Sequence, residues 1–340
     1  MRDRLDIVRP DKKNDQEVAV RVVRGRVSLT GVAAAMAVGL LVAGATFVHA
    51  QDKPMTPVRA AYVPVATWLP AWVALDKGIF AKHGLAVTLT PIQNLSLLPG
   101  TVGRQFEFAA STPTDLLKAV AGGLDVVASA GEAIEVKSNP TTQVIVRKDG
   151  GVKSIADLKG KAIATPTLGG VIHVATLYWL KKNGVDPASI RGVEVPFPNM
   201  GDQLKAGNVD AVEALEPFAG ALIAGGNVSL GDPLLAAGDE VLFPFWISDG
   251  KWARANRPVV KAWIDALTDA ERDMAANPAD ARAILAKYSR LPADVVQKVP
   301  LPTFRFTIKP EELGVWIDVL KDLGQLSAPI DPAKVVVTAP

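Results

Sequence analysis

Cysteine is absent from the 340-residue sequence, and histidine occurs only three times. Without cysteine the chain has no disulfide bonds, no thiolate metal ligands, no cysteine nucleophile and no lipid-modified cysteine. The histidines, His49, His83 and His173, lie far apart in the sequence, and their spacing does not match a metal site. We therefore expect neither a metal ion nor another cofactor.

Beyond residue 50, the sequence also has no excess of basic or acidic residues. Eight of the 37 Lys and Arg residues and five of the 35 Asp and Glu residues fall within residues 1–50. The remainder therefore holds 29 basic and 30 acidic residues, and it is nearly neutral. This balance gives no support for a nucleic-acid partner or for binding to an anionic membrane surface.

No hydrophobic run is long enough to cross a bilayer comfortably. The most apolar stretch, residues 32–42, follows several arginines and is shorter than a transmembrane helix. The small residues Val48 and Ala50 occupy the two positions that a signal peptidase reads. The pattern predicts a secretory signal peptide over residues 1–50, cleavage before Gln51 and a periplasmic location.

The rest of the sequence alternates strand and helix patterns. Residues 58–140 and 142–245 each indicate a mostly parallel sheet covered by helices. We predict an α/β fold with a discontinuous lobe 1, residues 51–140 plus 249–340, and a lobe 2, residues 141–248. A cleft between two such lobes, beyond the carboxyl ends of the strands, is the usual position of a ligand.

One segment indicates how this cleft binds a ligand. Residues 161–184 read as a short strand, a loop containing Gly169 and Gly170, and a helix. The start of such a helix presents unpaired N–H groups and the positive end of its dipole, and so makes an anion site without a charged side chain. An ordinary strand–helix unit gives the same pattern. The hypothesis therefore depends on further loops of this kind, which begin near residues 112–115 and 216–217.

Several stretches occur in an order and spacing that is specific as a set, although each stretch is weak alone. They are residues 72–80 with 83–85, 154–161, 177–185, 207–211 and 216–217. Together they resemble the periplasmic substrate-binding proteins of ABC importers, of the nitrate/sulfonate/taurine and thiamine-pyrimidine-precursor type. The resemblance covers about residues 56–325.

This resemblance implies a two-lobed periplasmic-binding-protein fold of type II, in which each lobe is a mostly parallel sheet flanked by helices. It implies a monomer that binds a small-molecule ligand and delivers it to an ABC permease in the inner membrane, without catalysis and without nucleic acid. Its ligand contacts would come from loops 66–68, 111–114 and 167–170 and from the helix start at Glu216.

The side chains of these loops suit a small anion, because they combine hydroxyl donors, helix starts and aromatic walls. Alternatives remain for each group: a hydroxyl can simply cap its helix, His173 can be packed or solvated, and Glu216 can interact only with its own helix start. The predicted ligand-binding residues are Thr67, Trp68, Ser111, Thr112, Thr114, Thr167, Leu168, Gly169, Gly170, His173, Glu216 and Trp246.

The predicted function is capture of a small organic or inorganic anion, similar to a sulfonate, taurine or nitrate. The four loops contain no Arg or Lys, which disfavours a strongly clamped dianion. A second hypothesis is a pyrimidine or an aromatic acid, held by the tryptophans and Glu216. A third is an enzyme that uses the same cleft, although no nucleophile–base–orienter set is evident in the sequence.

Overall fold

The computed structural model describes residues 54–337, all of which fall in one compact unit. The predicted signal peptide, residues 1–50, and the cleavage site before Gln51 lie outside these described residues. Between residues 54 and 337, no helix has both the length and the apolar composition needed to cross a membrane.

Strands and helices alternate through the first two thirds of this region, and helices dominate the last third. The strands are β1 Thr56–Tyr62, β2 Leu85–Pro91, β3 Phe108–Ser111, β4 Val126–Gly131, β5 Ala133–Val136, β6 Thr142–Val146, β7 Ala162–Thr165, β8 Arg191–Glu194, β9 Ala211–Leu215, β10 Val228–Gly231, β11 Glu240–Leu242, β12 Phe245–Asp249 and β13 Thr303–Phe304. The α-helices are α1 Leu69–Asp76, α2 Ile79–Lys82, α3 Pro113–Ala121, α4 Val171–Lys182, α5 Phe197–Ala206, α6 Phe218–Ala224, α7 Gly250–Ala255, α8 Arg257–Ala276, α9 Pro278–Ser289, α10 Ala293–Val296 and α11 Pro310–Asp322.

The two five-stranded sheets have the same arrangement, in which one strand runs antiparallel to its neighbours and the others are parallel. The first has the order β2-β1-β3-β12-β4 and the second the order β10-β6-β9-β7-β8. In the first sheet, β1 pairs in parallel with β2 and β3, and only β12 runs against its neighbours. In the second, β7 pairs in parallel with β8 and β9, and only β6 runs against its neighbours. Each sheet is therefore mostly parallel, as the sequence predicted.

The chain passes from one sheet to another at the two antiparallel strands, β6 and β12. Strand β6 carries the chain into the second sheet after β5, and β12 returns it to the first sheet between β3 and β4. The predicted division at residues 141–248 stays a prediction. The strands of the second sheet run from Thr142 to Gly231.

A small antiparallel sheet, β11-β5-β13, was not anticipated from the sequence. Its strands have only two to four residues, which is too short for a period-two pattern to be recognised. Phe243–Pro244 separates β11 from β12, and these two strands belong to different sheets.

The core of the first sheet is unusually rich in aromatic rings. Trp263 of α8 stacks on Phe108 of β3 with ring centroids 4.5 Å apart, and it meets Trp246 of β12 edge-on at 5.0 Å. Trp246 in turn contacts Trp68 edge-on at 4.6 Å. Because large rings bury much area and prefer these offset geometries, the cluster fixes the position of Trp68 at the start of α1.

Candidate functional site

A pocket lies where loops of the two large sheets meet. Its empty space, together with the open solvent at its mouth, amounts to about 520 Å³. Its walls come from the segments that follow β1, β2, β3, β7 and β8, and from the residues just before β12. The lining residues are Val63, Val65, Thr67, Trp68, Gln93, Leu95, Thr112, Asp115, Pro166, Thr167, Gly170, Val171, Ile172, Phe197, Leu215, Phe243 and Pro244.

Five of the predicted ligand-binding residues line this pocket. They come from three different loops: Thr67 and Trp68 before α1, Thr112 before α3, and Thr167 and Gly170 before α4. The remaining seven are not among the lining residues. Ligand contact by any of the twelve stays a prediction.

The start of α4 presents a row of unpaired backbone donors. Gly170 is the N-cap, it has no side chain to cap the helix, and the first turn carries no acidic residue. The first helical bond runs from the N–H of Val174 to the carbonyl of Gly170 at 2.9 Å. Within the described chain, the N–H groups of Val171, Ile172 and His173 consequently have no acceptor. Such a helix start favours a negatively charged group.

Two side-chain donors at the opposite wall are also unpaired. The hydroxyl of Thr67 and the indole N–H of Trp68 are buried and have no hydrogen-bond partner in residues 54–337. An unpaired buried donor costs about 1–3 kcal/mol. A ligand with acceptor atoms would recover this free energy on binding.

The start of α3 is occupied by the protein's own side chains. Thr112 is the N-cap, and its hydroxyl accepts the N–H of Asp115 at 3.4 Å. The same hydroxyl donates to Asp115 Oδ2 at 2.6 Å, and Ser96 Oγ donates to Asp115 Oδ1 at 2.6 Å. Burial raises the pKa of Asp115, while the two hydroxyl donors and the charge of Lys118 oppose this rise.

Ser111 and Thr114 are buried beside this helix start rather than on the pocket wall. Ser111 Oγ contacts the carbonyl oxygen of Thr112 at 3.5 Å, and Thr114 Oγ1 lies 3.2 Å from Thr112 Oγ1. Both hydroxyls therefore belong to the local network that surrounds Thr112.

Three polar contacts join segments that follow strands of the first sheet to segments that follow strands of the second. Lys118 Nζ donates to the carbonyl oxygen of Gly169 at 2.7 Å, and Thr167 Oγ1 donates to Asn94 Oδ1 at 3.3 Å. The N–H of Ala66 donates to the carbonyl oxygen of Glu216 at 2.9 Å. Gly169 has φ of 73°, and an added Cβ would lie 3.1 Å from Lys118 Nζ. Glycine at this position thus allows the lysine to approach.

His173 and Leu168 pack against the second sheet. An added Cβ on Gly192 of β8 would lie 2.5 Å from Leu168 Cδ2 and 2.9 Å from His173 Cε1. His173 Nδ1 is 3.7 Å from Glu213 Oε1. Within the described chain, neither Nδ1 nor either carboxylate oxygen of Glu213 has a hydrogen-bond partner. The backbone N–H of Leu168 donates to Glu194 Oε1 at 2.8 Å.

Glu216 and Trp246 are buried and are not among the residues that line the pocket. Burial raises the pKa of Glu216 to about 7, and the N–H of Gly220, which donates to Glu216 Oε2 at 3.0 Å, opposes this rise. The indole N–H of Trp246 donates to the buried carboxylate of Glu132. The indole N–H of Trp246 and one carboxylate oxygen of Glu216 are thus engaged by other residues of the protein.

Among the lining residues that were not predicted to contact a ligand are Gln93, Asp115, Phe197 and Phe243. Asp115 lies in the segment 112–115, which the sequence indicated only as a helix start. Gln93 and Phe243 lie in loops without a motif, so no sequence signal identified them. Phe197 follows β8 at the start of α5, and its position after a strand is a signal that would have found it.

No group of three or more His, Asp or Glu side chains among residues 54–337 has the arrangement of a metal site. Asp115 is the only charged residue on the described wall of the pocket. The arrangement therefore offers neutral donors from α4, Thr67 and Trp68, a largely apolar wall, and one carboxylate.

Similar proteins of known sequence include transport components. The nitrate import ATP-binding protein NrtC of Synechocystis sp. is 30% identical over 173 residues, which are 46% of this chain and 26% of that protein. The nitrate/nitrite binding protein NrtA of Synechococcus elongatus is 26% identical over 245 residues, which are 63% of this chain and 54% of that protein. The chain thus spans between about a quarter and about half of the length of these relatives.

The fold is similar to that of a solved binding protein. The alkanesulfonate-binding protein SsuA from Xanthomonas axonopodis pv. citri, bound to MOPS, superposes with a TM-score of 0.72. It is 21% identical, and the match covers 84% of this chain and 100% of that chain. The predicted periplasmic-binding-protein fold is therefore confirmed.

The family follows from a match to most of the sequence. The family model described as NMT1/THI5 like matches residues 66–281, which is more than half of the chain and includes all but a few of the pocket-lining residues. The chain belongs to the NMT1/THI5-like family.

Proposed function

We propose that this protein is the solute-binding component of an ABC importer. It captures a small anion, organic or inorganic, between its two lobes and delivers it to a permease in the inner membrane. The observation that carries the proposal is that four residues of the pocket wall hold donors without acceptors in residues 54–337: the N–H groups of Val171 and Ile172, the indole N–H of Trp68 and the hydroxyl of Thr67. Donors without acceptors suit the oxygen atoms of a sulfonate, nitrate or carboxylate.

The names of the relatives support this proposal, because they refer to nitrate import, nitrate/nitrite binding and alkanesulfonate binding. We further propose export by the signal peptide over residues 1–50, and a periplasmic monomer without a nucleic-acid partner. Lobe 1 would comprise residues 51–140 plus 249–340, and lobe 2 residues 141–248. Movement of the lobes about the crossings near β6 and β12 would admit and release the ligand.

Binding rather than catalysis is proposed for the pocket. Its described lining residues include a single ionisable side chain, Asp115, whereas a nucleophile–base–orienter set needs several groups. A ligand should therefore be recovered chemically unchanged after it has bound.

A thermal-shift screen of the purified protein tests the function. The panel contains nitrate, alkanesulfonates, taurine, carboxylates and pyrimidines. We expect the melting temperature to rise with the concentration of at least one anion, because a ligand that binds only the native state stabilises it. Failure of every anion in the panel, or conversion of the ligand to a product, would contradict the proposal.

A pair of tryptophan variants tests the site. Trp68→Phe removes the unpaired indole N–H but keeps an aromatic ring, and it should weaken binding of the anion by about 10–100-fold, since a hydrogen bond to a charged group contributes about 1.5–3 kcal/mol. Trp72→Phe is the matched control. Its indole N–H is also buried and without a partner in residues 54–337, but Trp72 does not line the pocket.

We expect the affinity of Trp72→Phe to stay within about threefold of wild type. Equal losses in the two variants would mean that the effect arises from packing. An unchanged affinity in Trp68→Phe would remove this indole from the site.

A further inference from the structure

Asp115 is the feature of the pocket that anion capture does not explain. Its side chain is 7% exposed, and it is the only charged group on the described wall. A negative charge in the pocket opposes an anionic ligand, and burying it is costly without a partner of opposite charge. This cost suggests a second role for the carboxylate, in addition to its place in the first turn of α3.

Helix capping does not supply that role. At the exposed turn Ser154–Asp157, the carboxylate of Asp157 accepts the backbone N–H groups of Lys153 and Ser154 at 3.0 and 2.9 Å and completes a capping box. Asp115 has the same position relative to Thr112. Within the described chain, its carboxylate accepts only the hydroxyl groups of Ser96 and Thr112 and no backbone N–H.

The nearby lysine does not neutralise this carboxylate by direct contact. Lys118 Nζ donates instead to the carbonyl oxygen of Gly169 at 2.7 Å and to Gln325 Oε1 at 3.1 Å. The hydroxyls of Ser96 and Thr112 occupy one acceptor position on each oxygen of Asp115 and fix the orientation of the carboxylate. Since a carboxylate has about four acceptor positions, some remain for a donor in the pocket.

The pocket consequently has two poles. The unpaired N–H groups of Val171 and Ile172 attract an oxyanion, whereas Asp115 attracts a positively charged or N–H-bearing group. Apolar residues make up most of the wall, among them Val63, Leu95 and Phe243. A molecule with an acid group, a short apolar body and an amine fits both poles.

We propose that Asp115 determines specificity, selecting ligands that carry an amino group together with their acid group and rejecting ligands with a second negative charge. This inference rests on the proposed function, because it concerns the same pocket. It assigns the role to Asp115 itself, with Ser96 and Thr112 as the residues that position it.

Matched pairs of ligands test this selectivity in the wild-type protein by calorimetry. The pairs are 3-aminopropane-1-sulfonate with propane-1-sulfonate, 4-aminobutyrate with butyrate, and 3-(aminomethyl)benzoate with benzoate. Propane-1,3-disulfonate is the dianion. In at least one pair, we expect the ligand with the amino group to bind at least about tenfold more tightly than the ligand without it, because one charge-assisted hydrogen bond is gained. We expect the dianion to bind more weakly than propane-1-sulfonate.

The variant Asp115→Asn should abolish the preference for the amino member and should bind the plain anion as well as or better than wild type. Asp157→Asn is the matched control, because it removes a carboxylate from the equivalent position of an exposed helical turn; it should leave the preference unchanged. Asp115→Glu keeps the charge and should keep the sign of the preference. The melting temperature of each variant without ligand shows whether it folds.

The outcomes separate this inference from the proposed function. If plain anions bind as tightly as their amino partners in wild type, the role of Asp115 is wrong while anion capture stands. If the preference persists in a folded Asp115→Asn protein, it arises elsewhere and the inference is overturned. If no member of any pair binds and the wider anion screen also fails, the proposed function falls and this inference falls with it.

Discussion

The helices α3 and α4 begin at the same pocket but treat their first turns in opposite ways. Each follows a short parallel strand, β3 or β7. At α3, the hydroxyl of Thr112 caps the helix and Asp115 places a carboxylate in the first turn. At α4, the N-cap is Gly170 and no side chain caps or charges the first turn.

This difference separates a closed helix start from an open one. Where the sequence supplies the hydroxyl of Thr112, an N–H group of the first turn is paired within the protein. Where it supplies glycine, the N–H groups remain for a ligand, and the missing Cβ leaves room for the carbonyl oxygen of Thr167, which would lie 3.1 Å away. The same strand–helix unit therefore gives a carboxylate pole on one side of the pocket and an anion-binding pole on the other.

The largest expected effect comes from closing the open start. Gly170→Asp would place a carboxylate at the N-cap of α4, where it accepts N–H groups of the first turn and repels an anion. The ligand for this test is the anion that raises the melting temperature most in the thermal-shift screen. We expect the affinity for this anion to fall more than about 100-fold, because the variant loses two charge-assisted hydrogen bonds to it. Isothermal titration calorimetry measures this loss.

The control for that substitution is Gly151→Asp. An added Cβ on Gly151 meets nothing within 4 Å, and the residue is exposed. This variant should bind the anion like wild type. Retained affinity in Gly170→Asp would show that the two helix starts do not differ in the way described.

The next effect concerns a third helix start, that of α6, where Glu216 accepts the N–H of Gly220. The pKa of Glu216 is raised from 4.5 to about 7 in the folded protein, chiefly by burial. The folded state therefore holds this proton more tightly than the unfolded state. The resulting stabilisation is present below about pH 4.5 and is lost as the pH rises through about 7.

Glu216→Gln removes this titration. Relative to wild type, the free energy of unfolding of the variant should increase by about 2 kcal/mol between pH 5 and pH 8. Urea denaturation at a series of pH values measures the difference. A difference that does not change with pH would mean that Glu216 has an ordinary pKa, and that α6 begins without a buried titrating acid.

The smallest effect comes from opening the closed start. Thr112→Val removes the N-cap hydroxyl of α3 and one of the two donors to Asp115, and it should lower the free energy of unfolding by about 1 kcal/mol. Thr167→Val, at the loop before α4, removes only the 3.3 Å contact with Asn94 and should cost less than about 0.5 kcal/mol. Equal costs, measured by urea denaturation, would contradict the distinction between the two starts.

The order of elements was largely predictable, because the strands β1, β3 and β7 and the helices α3, α4 and α8 carry clear apolar periodicity and stop signals. The three-stranded sheet escaped prediction because its strands are too short to show a period. The pocket was found in part. Loops after strands identified Thr67, Thr112 and Gly170, whereas Gln93 and Phe243 have no local signature.

The sequence by itself determined the repeated strand–helix units, the closed start of α3 and the open start of α4, because these depend on residues within a few positions of one another. Only the tertiary structure decided which polar groups form hydrogen bonds within the protein and which belong to the pocket wall. Asp115 is held by Ser96, 19 positions away, Lys118 reaches Gly169 across 51, and Trp246 is bound by Glu132 across 114. Such pairs form only when packing brings distant segments together, so no local pattern encodes them.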